Sequence, residues 1–278
     1  MRLVDVHCHL EAEEFAGRLE GVIADARDAG VVKMITASVT PDQWALSLEL
    51  ARTFPEVACV VGVHPWYCRE EDLSLLDGLA DAVARGAVGI GEAGLDTKTD
   101  RTPFLLQEAV FERQLAIARD LNVPMVLHCR GAFNEMLHCF RKIGVPQRGG
   151  ILHSFTGSAE VAEQFMEHGF SFSLGGILTY RNSRKRNNML RRIYPAAFLL
   201  ETDSPDIPPV EAKERPNVPA NILHNLRAAA EILELSEEVI AETTTRNAMR
   251  IYGLTIYPFD ADAHQGFSCG ADTRKDAD

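Results

Sequence analysis

The fold class predicted for this chain is α/β, a TIM (β/α)8 barrel, and three observations predict it. Apolar runs with strand character alternate with helix-period stretches, eight such runs precede residue 254, and polar residues recur at their ends. Alternating strands and helices imply a parallel sheet with crossover connections, and eight repeats in roughly 250 residues is the size of a barrel. A doubly wound open sheet would share the continuous apolar strands; the count of eight favours the barrel.

The runs, in order, are Leu3 to Cys8, Val32 to Ala37, Ala58 to Val63, Ala87 to Gly91, Pro124 to His128, Gly150 to His153, Phe170 to Leu174 and Phe198 to Thr202. Between them lie helical stretches such as Glu108 to Leu121, where Val110, Phe111, Leu115, Ala118 and Leu121 combine helical spacing with strong helix formers. One barrel domain is therefore expected over 1–254. Residues 255–278 have five aspartates and little apolar periodicity, so they are expected to form a loose tail.

Composition narrows the function. With 46% apolar and 24% charged residues the chain can bury a large core, which excludes general disorder. It has no basic leader with an apolar h-region and no apolar run long enough to span a bilayer, so a cytoplasmic enzyme with no membrane association is expected. The six cysteines lack CxxC spacing, which argues against a zinc ribbon or a disulfide framework. A net charge of -12 argues against general attraction to nucleic acid, leaving only a local basic patch to provide it.

In a barrel the catalytic groups project from the C-terminal strand ends. The first run ends in His7 and His9, the third gives His64, the fourth Glu92, the fifth His128, the sixth His153 and the eighth Asp203. Strand alternation puts Asp5, His7 and His9 on one face, inside the mouth, and Val4, Val6 and Cys8 on the other, under the helices. Two imidazoles about 7 Å apart along a strand can converge on one ion. A set of imidazoles and carboxylates suits zinc, manganese or iron, with magnesium also open. Two ions are expected, with Glu92 bridging them, because a carboxylate can span a pair about 3.5 to 4 Å apart.

The motifs DVHCHL, GVHP, GEAGLD, VPMVLHCR, LHSFTG, ETDSP and RPNVPANI, followed by TTRNAMRIYGL, run in order over residues 1 to 254. In these the sequence resembles the TatD family of metal-dependent deoxyribonucleases, within the amidohydrolase-like superfamily. The resemblance implies His7, His9, Glu92 and Asp203 around one divalent ion, and Glu92, His128 and His153 around a second. It places His64 beside them on substrate phosphate and gives Asp203 the metal-activated water to orient or deprotonate. No lysine ends a strand, which fits a glutamate bridge rather than the carbamylated lysine of superfamily relatives. The function so implied is hydrolysis of phosphodiester bonds in nucleic acid, most specifically as a 3'-5' exonuclease on single-stranded or damaged DNA. No protein partner is implied.

The chain departs from the family pattern at Thr97 and Lys98, where an aromatic pair is usual, at Gly131, where a carboxylate is usual, and at Trp66, in place of histidine. These touch substrate preference rather than chemistry, and Trp66 is a candidate to stack on a base or sugar. Arg130 either binds phosphate bidentately or pairs with a neighbouring acid. The stretch Tyr180 to Arg192 carries six basic residues and no acid, and its beginning is expected on the rim, with Arg181 and Arg184 facing substrate and the rest on a helix surface. Glu201 shares a face with Asp203 and is expected to brace an inner layer, for instance against an arginine. His138, His168, His224 and His264 are read as structural, and Cys129 as outward-facing. Two other functions fit the residues: a binuclear hydrolase of small amides, esters or lactones, and a non-catalytic nucleic-acid binding module braced by its metals.

Overall fold

A computed structural model describes residues 1–180, 183–213 and 216–255. Eight parallel strands run in the order β1-β2-β3-β4-β5-β6-β7-β8. They are β1 (Leu3–Cys8), β2 (Val31–Ala37), β3 (Val57–Val61), β4 (Gly89–Asp96), β5 (Met125–Arg130), β6 (Gly150–Leu152), β7 (Phe170–Leu174) and β8 (Phe198–Leu200). The helices between and after them are α1 (Leu19–Asp28), α2 (Trp44–Thr53), α3 (Asp72–Leu75), α4 (Gly78–Ala84), α5 (Phe104–Leu121), α6 (Phe133–Ile143), α7 (Ala159–Met166), α8 (Arg184–Ile193), α9 (Ile222–Leu233) and α10 (Glu237–Tyr252). The predicted barrel is present. Among the described residues no helix is long and apolar enough to cross a membrane. The expected tail falls almost wholly on 256–278, outside the described residues, as does His264.

Two apolar clusters divide the strands by face. Val4, Val6, Ile35, Ala37, Ala58, Val60, Val126, Ile151 and Leu199 form one, closed off by Ala248, Ile251 and Tyr252 of α10. Because they come from alternate strand positions, with helix side chains only from α10, they fill the barrel interior and α10 plugs its floor. Leu3, Met34, Cys59, Leu127 and Phe198 belong to the larger cluster between barrel and outer helices. The two faces thus bury separate layers, as the two-residue strand period requires.

This division corrects the expected facing of β1. Val4 and Val6 point into the barrel, and Asp5 bonds outward-facing Thr202, its Oδ1 accepting from the Thr202 amide at 2.9 Å and its Oδ2 from the hydroxyl at 2.5 Å. His7 nevertheless reaches the mouth because the β1–β2 register shifts between Asp5 and Cys8: three steps along β1 match two from Met34 to Thr36. The extra residue re-aims His7, as bulges beside active sites do. A second shift, between Ile90 and Ala93 on β4 against Met125 and Leu127 on β5, falls at Glu92.

Beyond that bulge β4 continues through GEAGLD to Asp96, five residues past the apolar run that predicted it. Gly94 makes this possible. Its φ is +151°, and a Cβ there would lie 1.9 Å from the His128 carbonyl oxygen. Only glycine lets β4 approach β5 so closely. Gly94→Ala is therefore expected to lower stability by more than about 2 kcal/mol, the scale of overpacking combined with a disfavoured backbone angle. A urea midpoint equal to that of the unsubstituted protein would contradict this.

β8 and β1 do not pair as regular strands; backbone and side-chain bonds join them at the mouth. The Asp203 amide donates to the His7 carbonyl at 3.0 Å and the His9 amide to the Ser204 carbonyl at 2.8 Å.

Candidate metal centre

The six expected ligands come together at the C-terminal mouth of the barrel, with Glu92 at their centre. Glu92 Oε2 lies 3.4 Å from His7 Nε2 and 3.5 Å from His9 Nε2. The same two nitrogens lie 3.4 and 3.5 Å from Asp203 Oδ1. Glu92 Oε1 faces the opposite group, 2.7 Å from His153 Nε2, 3.2 Å from His128 Nδ1 and 3.1 Å from His64 Nε2.

These spacings test whether the residues fit a cation. Donor atoms at roughly 2.0 to 2.1 Å from a tetrahedral ion stand about 3.3 to 3.4 Å apart. The His7, His9, Glu92 and Asp203 atoms have that separation, longer than a good hydrogen bond. His128 Nδ1 and His153 Nε2 are 3.3 Å apart. Both ring nitrogens of His7 and Nδ1 of His153 are buried without a hydrogen-bond partner. Orphaned buried imidazole nitrogens are costly unless something binds them, and a divalent cation would satisfy both observations. Among the described residues three groups of three donors fall at the mouth: His7, His153 and Asp203; His7, His9 and Glu92; His64, Glu92 and His128.

Hydrogen bonds around the ring decide which nitrogen each histidine offers. His9 Nδ1 lies 2.8 Å from the Ala37 carbonyl, so Nδ1 carries the proton and the Nε2 lone pair faces the centre. His64 is the reverse. Its Nδ1 accepts from the Trp66 amide at 3.0 Å, which leaves the proton on Nε2, aimed at Glu92. Neutral His64 is thereby a donor rather than a ligand. Burial pulls its pKa down to about 4 and keeps it neutral, although the Glu92 charge opposes this.

The electrostatics are those of shared charge. Burial pushes Glu92 upward, but the surrounding imidazoles overcome this and hold it well below the usual carboxylate range. Burial likewise opposes charge on His7, yet the Asp203 and Glu92 carboxylates beside it raise it well above an ordinary histidine. His7, His9 and His128 are raised, despite burial, by the carboxylates they face, whereas burial lowers His153. Asp203 has φ 56°, a left-handed conformation that aspartate tolerates better than most residues. Such backbone is often kept where it aims a functional group.

The centre opens into a cleft of about 630 Å³ lined, among others, by Trp66, Tyr67, Arg130, Glu11, Glu14 and Asp206. Trp66 and Arg130 are thus brought to the site as expected. Arg101 lies 4.8 Å above the Trp66 ring, so a guanidinium covers part of the surface expected to stack on a base. Arg184 does not line the cleft; it begins α8, exposed, while Arg181 lies outside the described residues. The other basic residues do not all stay on the helix surface. Lys185 donates to the Thr156 carbonyl at 2.9 Å, and Arg186 to the carbonyls of Tyr180, at 2.7 Å, and Ile177.

Glu201 is inward, as expected, and among the described residues no arginine bonds to it. The Ser154 amide donates to it at 2.8 Å and the Ser173 hydroxyl at 2.5 Å, and burial beside Asp203 pushes its pKa up to about 8. Protonated, it satisfies that layer without a counter-ion. Cys129 sits at the cleft wall while packing on the outer layer, and burial keeps it a thiol. His138 lies on α6 and His224 on α9, and His168 packs edge-on to Phe140 just past α7.

One residue was absent from the expected site. Asp96 is fully buried beside His128, with Oδ2 3.2 Å from His128 Nε2. The signal was available: Glu92, Gly94 and Asp96 are spaced by two.

A parallel barrel whose mouth converges imidazoles and carboxylates on one shared glutamate is the design of a metal-dependent hydrolase. The particular family follows from comparison with known proteins. Residues 4–253 match the family model of TatD related DNase. The Bacillus subtilis protein YabD, by its name a metal-dependent hydrolase, is 33% identical over 253 residues, covering 90% of this chain and 98% of YabD. The crystal structure of the Escherichia coli TatD homologue YjjV, 28% identical, gives a TM-score of 0.84 over 91% of this chain and 99% of YjjV. A TatD family hydrolase from Entamoeba histolytica, at 18% identity and TM-score 0.79 over 91% of this chain and 98% of that one, shares the fold. This chain belongs to the TatD family.

Bound cations should appear in stability before activity is measured. A ligand held only by the folded state stabilises it by about 2.7 kcal/mol at a hundredfold excess over Kd. Adding Zn²⁺ or Mn²⁺ to chelator-stripped protein is expected to raise Tm, reversibly with EDTA; an unmoved Tm would refute a metal-binding centre.

Proposed function

We propose that this protein hydrolyses phosphodiester bonds in nucleic acid, trimming single-stranded or damaged DNA from the 3' end, with two divalent cations bound at the barrel mouth. The observation that carries this reading is the division of Glu92, one oxygen toward His7 and His9 and the other toward His128 and His153. That arrangement suits a carboxylate shared by a pair of cations. When bound, the cations supply Lewis-acid polarisation of the phosphate and lower the pKa of water.

The protein's own groups do the rest. Asp203, at the opening beside His7 and His9, accepts the proton of the attacking water. His64, neutral, offers its Nε2–H as a hydrogen bond to a phosphate oxygen, the role its tautomer supports. Arg130, exposed at the end of β5, pairs with phosphate by two parallel N–H bonds. Trp66 and Tyr67 give the adjoining base or sugar a flat wall. Because the chain is acidic overall, recognition depends on this rim and the cations rather than on a basic surface.

The test is a 3'-labelled and a 5'-labelled single-stranded oligonucleotide incubated with metal-loaded protein, alongside RNA and a small carboxylic ester. Stepwise shortening from the 3' end, lost with EDTA, is expected. Faster turnover of the ester, or no metal-dependent shortening, would overturn the reading.

A further inference from the structure

Asp96 has no place in the ligand set, yet it is completely buried and its carboxylate is fully used. Oδ2 accepts from Trp66 Nε1 at 2.6 Å and from His128 Nε2 at 3.2 Å, while Oδ1 accepts from the Lys98 amide at 2.6 Å. Its backbone is clamped as well. The Asp96 amide donates to Gln107 Oε1 at 2.9 Å, and Gln107 Nε2 donates back to the Asp96 carbonyl at 3.2 Å. A fully buried polar residue on α5 is thus spent on holding one residue of β4 still.

A single oxygen therefore meets two side chains of different kinds. Trp66 is the aromatic wall of the cleft, and His128 is a donor aimed at Glu92. With its proton on Nε2, facing Asp96, His128 can present a lone pair only through Nδ1, the atom 3.2 Å from Glu92 and 3.3 Å from His153. His9 works the other way round, with Nδ1 held by the Ala37 carbonyl and Nε2 free. The two rings need opposite orientations, and each is fixed by a different acceptor behind it.

We infer that Asp96 is a positioning residue that locks His128 into its Nδ1-presenting orientation and, through the same carboxylate oxygen, ties the Trp66 wall of the cleft to that histidine. A substrate group seated on Trp66 is then indexed to His128 through one rigid acceptor. The carboxylate is the element required: an amide in its place has one acceptor oxygen and cannot offer a charge to both N–H groups. The inference about metal uptake and substrate indexing rests on the reading given under Proposed function, whereas the two hydrogen bonds do not.

The experiment is ¹H–¹⁵N NMR of side-chain N–H groups in the unsubstituted protein and in Asp96→Asn. In metal-free protein the Trp66 Nε1–H should be protected from solvent exchange and should move in Asp96→Asn. The Nε1–H of Trp44, bonded at 2.9 Å to the Gly62 carbonyl, serves as the control that stays in place. In Zn²⁺-loaded protein, His128 should show a protected Nε2–H and ligation through Nδ1. Asp96→Asn should lose that proton and weaken zinc binding roughly 10- to 100-fold, the usual cost of removing a carboxylate behind a ligating histidine.

Trp66→Phe removes only the indole donor, so it should leave zinc affinity within about threefold, a factor worth ~0.6 kcal/mol, while weakening oligonucleotide binding. If Asp96→Asn does not fold, the protection of both N–H groups in the unsubstituted protein still decides the first point, and Trp66→Phe the second. Exchange-labile Trp66 and His128 protons, ligation of His128 through Nε2, no zinc uptake, or unchanged zinc affinity in folded Asp96→Asn would each overturn the inference. If these signatures hold and no nucleic acid is cut, the proposed function fails and Asp96 keeps its role.

Discussion

Glu92→Ala is expected to lower hydrolysis by at least about 10³-fold, some 4 kcal/mol of transition-state stabilisation, and to reduce metal content at the same time. The Glu92 oxygens lie 3.4 Å from His7, 3.5 Å from His9, 3.2 Å from His128 and 2.7 Å from His153, whereas Asp203, close to His7 and His9, reaches the other group only at His153, 4.0 Å away. Without Glu92 the two donor groups lose the anion that lies close to both, and His128 Nδ1 has only imidazole left beside it. Elemental analysis of the purified variant alongside turnover provides the check. Activity within tenfold of the unsubstituted enzyme, with full metal content, would remove Glu92 from the centre of the chemistry.

Asp203→Asn is expected to behave differently. Asparagine has the shape of aspartate and is among the residues best tolerated at positive φ, so the left-handed backbone at 203 is kept and the fold should survive. On the proposed reading, what disappears is the proton acceptor. The kcat should fall by about 10²- to 10⁴-fold, the range for a positioned general base, while KM moves little. A variant that loses affinity for substrate but retains kcat would mean that Asp203 holds substrate rather than serving the attacking water. The Asp203 carboxyl is held below its ordinary range; burial opposes this, but the imidazoles of His7, His9 and His153 outweigh it.

The strands and the ligand-bearing ends were legible because a buried parallel strand is a short apolar run and a polar residue just past it stands out. Seven residues before the first helix already carried both His7 and His9. The facing of β1 was not legible. Strict alternation placed Asp5 inside and Val4 and Val6 outside, and the extra residue between Asp5 and Cys8 reverses this while leaving His7 at the mouth. Nothing in LVDVHC marks a bulge, since its cause is the pairing with β2.

Asp96 was missed for a related reason. An apolar run ends where glycines and acids begin, so β4 was expected to stop at Gly91, yet pairing with β5 carries it on to Asp96. Among the described residues the partners of Glu201 are a hydroxyl and an amide rather than an arginine, because burial raises the pKa of a carboxylate in that layer. Arg184 was expected on the rim because the stretch follows β7, but Gly176–Thr179 forms a 3₁₀ turn first, and α8 begins only at Arg184. Chain order places a loop on the rim; it does not say which of its side chains turn inward.

The seam between β1 and β8 has one more consequence. Asp5 and Thr202 are 197 residues apart, and the bonds that join their strands run through His7, His9 and Asp203 themselves. The centre therefore cannot form by halves. A chain still being synthesised carries its first two histidines long before their counterpart is translated, and a fragment that ends ahead of β8 has donors with nothing to hold them in register. Activity in this protein is thus a report on completed synthesis: until the last strand arrives, the nascent chain has no assembled centre with which to act.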